Sequence, residues 1–337
     1  MGNRSHILRS FEDPEKHFRL ALEDPWFSGL TRINAELINA TSVFYAERGI
    51  IPVLMPVTVN SVSSPMGLGS DSLPVRADIM GETTYLADSM QFQLEFLLRH
   101  GLRGTYYVMP TFRGEDHDAT HLNQFFHSEA EIPGGLDEVM ELVESYVKRL
   151  CATLLTGPAS EALTQLAPDG TGHVADLAGR DSFPRITFAE AVKLLEPEHV
   201  VRAGTELACV NRAGERRLIE HFGGIVWLTD LPKMTVPFYQ ADRPDGTARC
   251  ADLLFGTGEV VGCGERHVTM QDTVRALNEH QVAVSDYDWY VRMKELAPMR
   301  TAGFGLGLER FLMWALDHED IRDLHVMPRL RGVPTWV

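Results

Sequence analysis

The chain is short of basic charge: 31 lysines and arginines face 47 acidic residues in a total of 337, a net charge of −16, and no Lys/Arg-rich tract relieves the imbalance. Phosphate neutralisation drives nucleic-acid binding and wants a cationic face, so a nucleic acid is an unlikely main partner on this count. Long apolar runs are missing too. Nothing approaches the length that spans a bilayer, and the opening MGNRSHILRSFEDPEKHF is polar without a hydrophobic signal region, which points to a cytoplasmic protein with no membrane partner. Cysteine is scarce. Cys151, Cys209, Cys250 and Cys263 are too far apart for metal-ligand or redox spacing, so free thiols are expected, with Cys263 a small space-filler. The remainder is an ordinary globular composition, 44% hydrophobic, enough for one large core or one core with an inserted subdomain.

The densest stretch of chemistry runs from Phe112 to Glu131, FRGEDHDATHLNQFFHSEAE. Before it, TYYVMPTF is rich in β-branched and aromatic residues, and QFFHSEAEI alternates as a returning strand. Phe125, Glu129 and Glu131 differ by even steps and share a face. An arginine opposite a phenylalanine and carboxylates could hold a phosphate, stack a base and receive an amine. Alone, the stretch could equally be a surface hairpin with scattered charges.

Two further stretches matter. In GFGLGLERFLMWAL (Gly303 to Leu316) the glycines Gly303, Gly305 and Gly307 alternate as on a strand with a bare face, and Glu309 and Arg310 open an apolar helix. In ADLLFGTGEVVGCGERH (Ala251 to His267) Asp252 and Glu259 flank a Gly-containing turn, so two neighbouring strands could present both carboxylates to one point or to solvent.

Together and in this order, the three stretches resemble the catalytic core of the class II aminoacyl-tRNA synthetases, in the asparaginyl/aspartyl branch. The likeness is nearest to asparaginyl-tRNA synthetase and the archaeal-type asparagine synthetase related to it, and covers about nine-tenths of the chain, from near Arg32 to the end. It implies an α+β fold, an antiparallel β-sheet flanked by helices. It also implies ATP and Mg²⁺ as cofactors. Arg113 would hold the α-phosphate, Phe125 and Arg310 would sandwich the adenine, Glu115 would read its amino group, and His121 and Arg310 would reach the γ-phosphate. Arg113 and Arg310 are thus the catalytic pair, Gly305 and Gly307 floor the ATP site, and Asp252 and Glu259 would hold the metal. Ser89, Gln91, Glu129 and Arg266 would bind a small amino acid, aspartate first. Lys233 and Tyr239 are read as structural.

Along the chain, residues 1–30 form a helical lead-in punctuated by Pro14 and Pro25, and 31–337 the catalytic domain, with 151–182 an insertion of loop or paired helices. Ile33 to Ala46 has helical apolar spacing, closed by Arg48-Gly49 before the strand IIPVLMPV; it resembles the family's dimer-forming motif, so a homodimer is expected. Asn60 to Ala77 reads as a loop that departs from the relatives. TTYLADSMQFQLEFLLRHG is a strand entering a helix, with Leu94 either core packing or standing where aspartate-binding relatives place a lysine. Leu136 to Leu155 is amphipathic with a solvated acidic face. Thr187 and Glu190 form a capping box.

The chain leaves no room before Arg32 for the anticodon-binding barrel of the tRNA-charging relatives. Glu265 matches the asparagine-synthetase relatives, where tRNA-charging enzymes usually have glutamine. The leading expectation is therefore an AMP-forming amide ligase that activates aspartate and transfers it to ammonia or a small amine. The alternatives are an asparaginyl-tRNA synthetase paralogue charging a tRNA or carrier, and a silent amino-acid or nucleotide sensor. The last rests on Thr120, which replaces the arginine found before the motif's histidine.

Overall fold

The structure, a computed structural model, describes residues 6–64, 72–168, 170–203 and 207–336. Helices α1 (Pro14–Glu23) and α2 (Pro25–Ala46) each begin on a proline behind an aspartate cap, Asp13 accepting from the Lys16 N–H and Asp24 from the Trp26 N–H. Proline's fixed φ and missing donor suit this first-turn position. The helix expected from Ile33 thus starts at Pro25, because Trp26, Phe27 and Leu30 continue its buried face. Gly49, at φ 69°, turns the chain into β1 (Ile51–Pro52), much shorter than the apolar run that suggested it.

Strands β2 (Thr58–Val59), β3 (Val75–Ile79) and β4 (Glu82–Leu86) make a small antiparallel sheet in the order β2-β4-β3. The loop expected through Ala77 therefore ends at Val75; its residues 65–71 lie outside the described residues. After α3 (Gln91–Leu98), the anticipated hairpin is present as β5 (Thr105–Phe112) and β6 (Gln124–Pro133), with Thr111 opposite Phe125, Tyr107 opposite Glu129 and Thr105 opposite Glu131. Next come α4 (Leu136–Leu154) and the pair α5 (Gly157–Leu166) and α6 (Gly172–Ala178). The acidic face of α4 is not wholly solvated: Glu144 is buried and accepts from Trp227 Nε1 at 3.0 Å.

Strand β7 (Arg185–Thr187) leads into α7 (Phe188–Leu194), with the Thr187–Glu190 capping box formed. The ribbon β8 (Val200–Ala203) and β9 (Leu207–Val210) precedes α8 (Arg212–His221), capped by Asn211. Then follow β10 (Ile225–Thr229), β11 (Cys250–Phe255), β12 (Gly258–Glu265), α9 (Met270–Glu279), α10 (Asp288–Leu296), β13 (Thr301–Gly307) and α11 (Leu308–Ala315).

The main sheet has eight strands in the order β1-β5-β6-β13-β12-β11-β10-β7, antiparallel except at its end pairs β1/β5 and β7/β10. This is the expected α+β architecture. The period-2 alternation of strands divides the sheet's faces. Ala130, Phe304, Val261 and Leu253 turn toward α2 and α4, joining Phe44, Tyr146 and Leu150 in the largest core cluster. Burying each such large side chain contributes roughly 1.5–3 kcal/mol. The alternate residues, Glu129, Glu131, Gly262, Gly303 and Gly305, are left for the opposite face.

Candidate active site

Paired glycines floor that opposite face. Gly264 lies opposite Gly303 and Gly262 opposite Gly305 across β12 and β13, while β6 places Glu131 beside Gly303 and Glu129 beside Gly305. A Cβ at 303 would collide with the Glu131 carboxyl, and one at 305 would stand 3.0 Å from Glu129 Oε1. The bare strand read from the sequence is thus covered, at Gly303, by the protein's own carboxylate. Gly305 and Gly307 border open space.

Two cavities meet here. The first, about 290 Å³, is lined by Arg113, His121, Phe125, Glu259, Gly305, Gly307 and Arg310. The second, about 190 Å³, is lined by Ser89, Gln91, Glu129, Asp252, Glu259 and Arg266. They share Arg113, His127, Glu259 and Gly305. The sequence-derived residues are therefore brought together in two adjoining groups, except Glu115, which lines neither. Its Oε2 is buried without a partner among the described residues.

In the first cavity the Arg113 guanidinium lies 5.6 Å from the Phe125 ring, and Arg310 donates to the Glu259 carbonyl at 2.9 Å. Burial lowers the pKa of Arg310; Glu259 opposes this, while Arg113 and Arg212 add to it. Cations gathered in this way are poised for a polyanion. Near the shared wall, Asp252 and Glu259 both turn toward Gly262. Burial and the charges of Glu259 and Glu215 push the Asp252 carboxyl far up, and burial followed by Glu259 raises Glu215 to about 7. Among the described residues no three potential ligands close on a metal. A half-buried carboxylate pair still fits a Mg²⁺ ion that takes most of its ligands from water and phosphate.

In the second cavity Glu129 accepts from Ser89 at 2.6 Å and from Tyr107, and pairs with His127 at 3.1 Å. Arg266 is fully buried. Its Nε and Nη2 reach Glu131 Oε1 at 3.1 and 2.5 Å, and it donates to Gln91 at 2.9 Å and Gln240 at 3.1 Å. Gln91 in turn donates to the Tyr239 hydroxyl at 2.7 Å. Gln91 thus orients Arg266, its amide engaged at both ends. Tyr239 lines the cavity, which corrects its reading as merely structural; Lys233 is structural, paired with Glu279 at 2.7 Å.

Two more readings are resolved. Leu94 is fully buried in the cluster of Val59, Met90 and Tyr107, away from both cavities. Glu265 points to the opposite side of β12 from Gly264; it pairs with Arg300 at 2.9 Å and accepts from the Leu136 N–H, so its identity does not report on the acceptor. His127, Arg212 and Glu215 belong to the site and went unread. His127 shares its face with Glu129 and was open to the same even-step logic. Arg212 and Glu215, three apart on the first turn of α8, had no motif to announce them.

The family described as tRNA synthetases class II (D, K and N) matches residues 16–331. The asparagine–tRNA ligase of Acholeplasma laidlawii is 30% identical, over 90% of this chain and 70% of its own length, and that of Bacillus cytotoxicus is 31% identical, over 91% and 71%. The fold is shared with asparaginyl-tRNA synthetase of Pyrococcus horikoshii bound to asparaginyl-adenylate, at a TM-score of 0.84 and 24% identity over 96% of this chain and 73% of that one. These relatives overturn the expectation that tRNA is an unlikely partner: they are tRNA ligases, and a net charge averages over the whole surface, where a local patch can differ from the total. No helix among the described residues is long and apolar enough to cross a membrane. On its sequence and its fold alike, the chain belongs to the class II tRNA synthetases of the D, K and N group.

Proposed function

We propose that the chain activates asparagine with ATP as asparaginyl-adenylate and passes the acyl group to a tRNA. The observation that carries the amino acid's identity is the state of Arg266. Its charge is already met by the buried Glu131, and the surrounding cavity presents Asp88, Glu129 and Glu259. That wall attracts an ammonium and repels a second carboxylate, so an amide side chain suits it better than the aspartate first expected. The names of the relatives support the same choice and support tRNA over ammonia as acceptor.

In the first step an oxygen of the asparagine carboxylate attacks the α-phosphorus, and the bond to the bridging oxygen of pyrophosphate breaks. Arg113, on the wall shared by the cavities, meets the charge that builds on the α-phosphate. Phe125 and Arg310 hold the base between them, and Ser89, Tyr107 and His127 fix Glu129 against the substrate ammonium. Mg²⁺ brought with ATP and held by Asp252 and Glu259 would offset phosphate charge. In the second step a terminal ribose hydroxyl of tRNA attacks the acyl carbonyl and AMP leaves.

A second copy of the chain belongs to this proposal. Ile38 and Val43 on α2, Ile51 on β1 and Leu54 just beyond are exposed apolar side chains that a partner copy would cover. The activating step is tested by ATP–pyrophosphate exchange across a panel of amino acids. Exchange driven by asparagine above aspartate supports it; exchange with aspartate alone, rising with ammonium-dependent AMP release, would replace it by the amide-ligase reading.

A further inference from the structure

The outer end of the nucleotide cavity is built by a contact between distant parts of the chain. Arg212, the first residue of α8, donates through Nη1 to Thr120 Oγ1 at 2.5 Å, and its Nη2 lies 2.7 Å from His121 Nε2 and 3.1 Å from His121 Nδ1. On its other side His121 Nδ1 lies 3.0 Å from Asp118 Oδ2. An arginine can only donate, so the nearer ring nitrogen, Nε2, accepts from it, and Nδ1 is left to give its proton to Asp118. In that tautomer His121 has no N–H left for a phosphate. The guanidinium it orients has.

Arg212 has the marks of a ligand cation. Its hydrogen bonds go to a hydroxyl and an imidazole rather than to a carboxylate, and its charge also acts on Glu215 in the same cavity. It lines the same cavity as Arg113 and Arg310. It is also solvent-exposed, so it can turn from Thr120 and His121 to a phosphate without leaving a buried group unpaired. Position 120 itself has only a hydroxyl, too short and uncharged to grip a phosphate.

We propose that Arg212 grips the terminal phosphates of ATP, with Thr120 and His121 as its positioning groups, and supplies from α8 the cation that position 120 lacks. The proposal rests on the ATP site described above, and its test separates the two. Native protein, Arg212→Ala and the double variant Arg212→Ala/Thr120→Arg are titrated calorimetrically with Mg²⁺–ATP and, separately, with AMP, each checked by thermal melting. Losing a charge-assisted phosphate contact should weaken ATP binding about 10- to 100-fold. AMP binding should be unchanged, because it carries no terminal phosphates, and Thr120→Arg should recover most of the loss. In pyrophosphate exchange the KM for ATP should rise while the KM for the amino acid stays. Unchanged ATP affinity in Arg212→Ala, or equal weakening of ATP and AMP, overturns the role of Arg212 while leaving the ATP site in place. A native protein that binds neither nucleotide overturns the site and the proposal together.

Discussion

Replacing Glu131 by glutamine tests how the amino-acid cavity chooses its substrate. Glu131 is completely buried, and a single oxygen of it takes both Nε and Nη2 of Arg266. Glu131→Gln keeps the shape and one acceptor but removes the counter-charge. A guanidinium interposed between two carboxylates holds them roughly 6–7 Å apart, where their repulsion at an effective dielectric of about 20 is on the order of 2–3 kcal/mol. Relieving it should improve aspartate relative to asparagine by about 30- to 150-fold in kcat/KM. Opening a buried ion pair should also cost about 3 kcal/mol of stability, the low end for such pairs. The assay is pyrophosphate exchange with each amino acid over a concentration series, alongside urea unfolding. A pH arm sharpens it. Burial pushes the Glu131 carboxyl up to about 7 against the pull of Arg266, so protonation below that pH frees the charge of Arg266. The native preference for asparagine should therefore weaken as pH falls through about 7, and Glu131→Gln should flatten that dependence. A folded variant whose aspartate-to-asparagine ratio is unchanged at every pH would refute the neutralised-arginine argument.

Arg113→Ala should lower pyrophosphate exchange by about 10²–10³ with the melting curve unchanged, because its charge is aimed at the transition state rather than at the fold; near-normal exchange would remove it from catalysis. Leu94→Lys should yield an unstable or insoluble protein rather than one that binds aspartate more tightly, since it puts an unpaired ammonium into a sealed apolar cluster; a soluble variant with a native melting temperature would show that the side chain escapes the core. His267 is buried and its pKa is depressed to about 4. Its folded state binds the proton less readily than the unfolded chain, so stability is full above about 6.5 and drains as pH falls toward 4, by up to roughly 3 kcal/mol. Urea unfolding at several pH values should show that slope in the native protein and a shallower one in His267→Gln; equal slopes would exclude His267 as its source.

The sheet and most of the site were legible because they are written in local periods. Even-step spacing on β6 put Phe125, Glu129 and Glu131 on one face, and alternating glycines on β13 announced a floor that needed room. The turn between β11 and β12 brought Asp252 and Glu259 to one point as its length allowed. What sequence spacing could not give is which partner each side chain finds from another element. Arg266 read as a free anchor because Glu131 lies 135 positions away, and only the pairing of β6, β13 and β12 joins them. Glu265 read as a pointer to the acceptor from its match to the asparagine-synthetase relatives, yet strand alternation turns it to the other face, onto Arg300. Arg212 was invisible for the same reason, its contacts with Thr120 and His121 lying more than 90 positions away.

The central claim is that the activated acyl group goes to tRNA, and acylation with radiolabelled asparagine tests it most directly. Native protein, ATP, Mg²⁺ and total tRNA should give acid-precipitable label that requires ATP, disappears with ribonuclease and is released by mild alkali, as an aminoacyl ester is. Asparagine-dependent pyrophosphate exchange without any labelled tRNA, while ammonium or a small amine speeds AMP release, would contradict it.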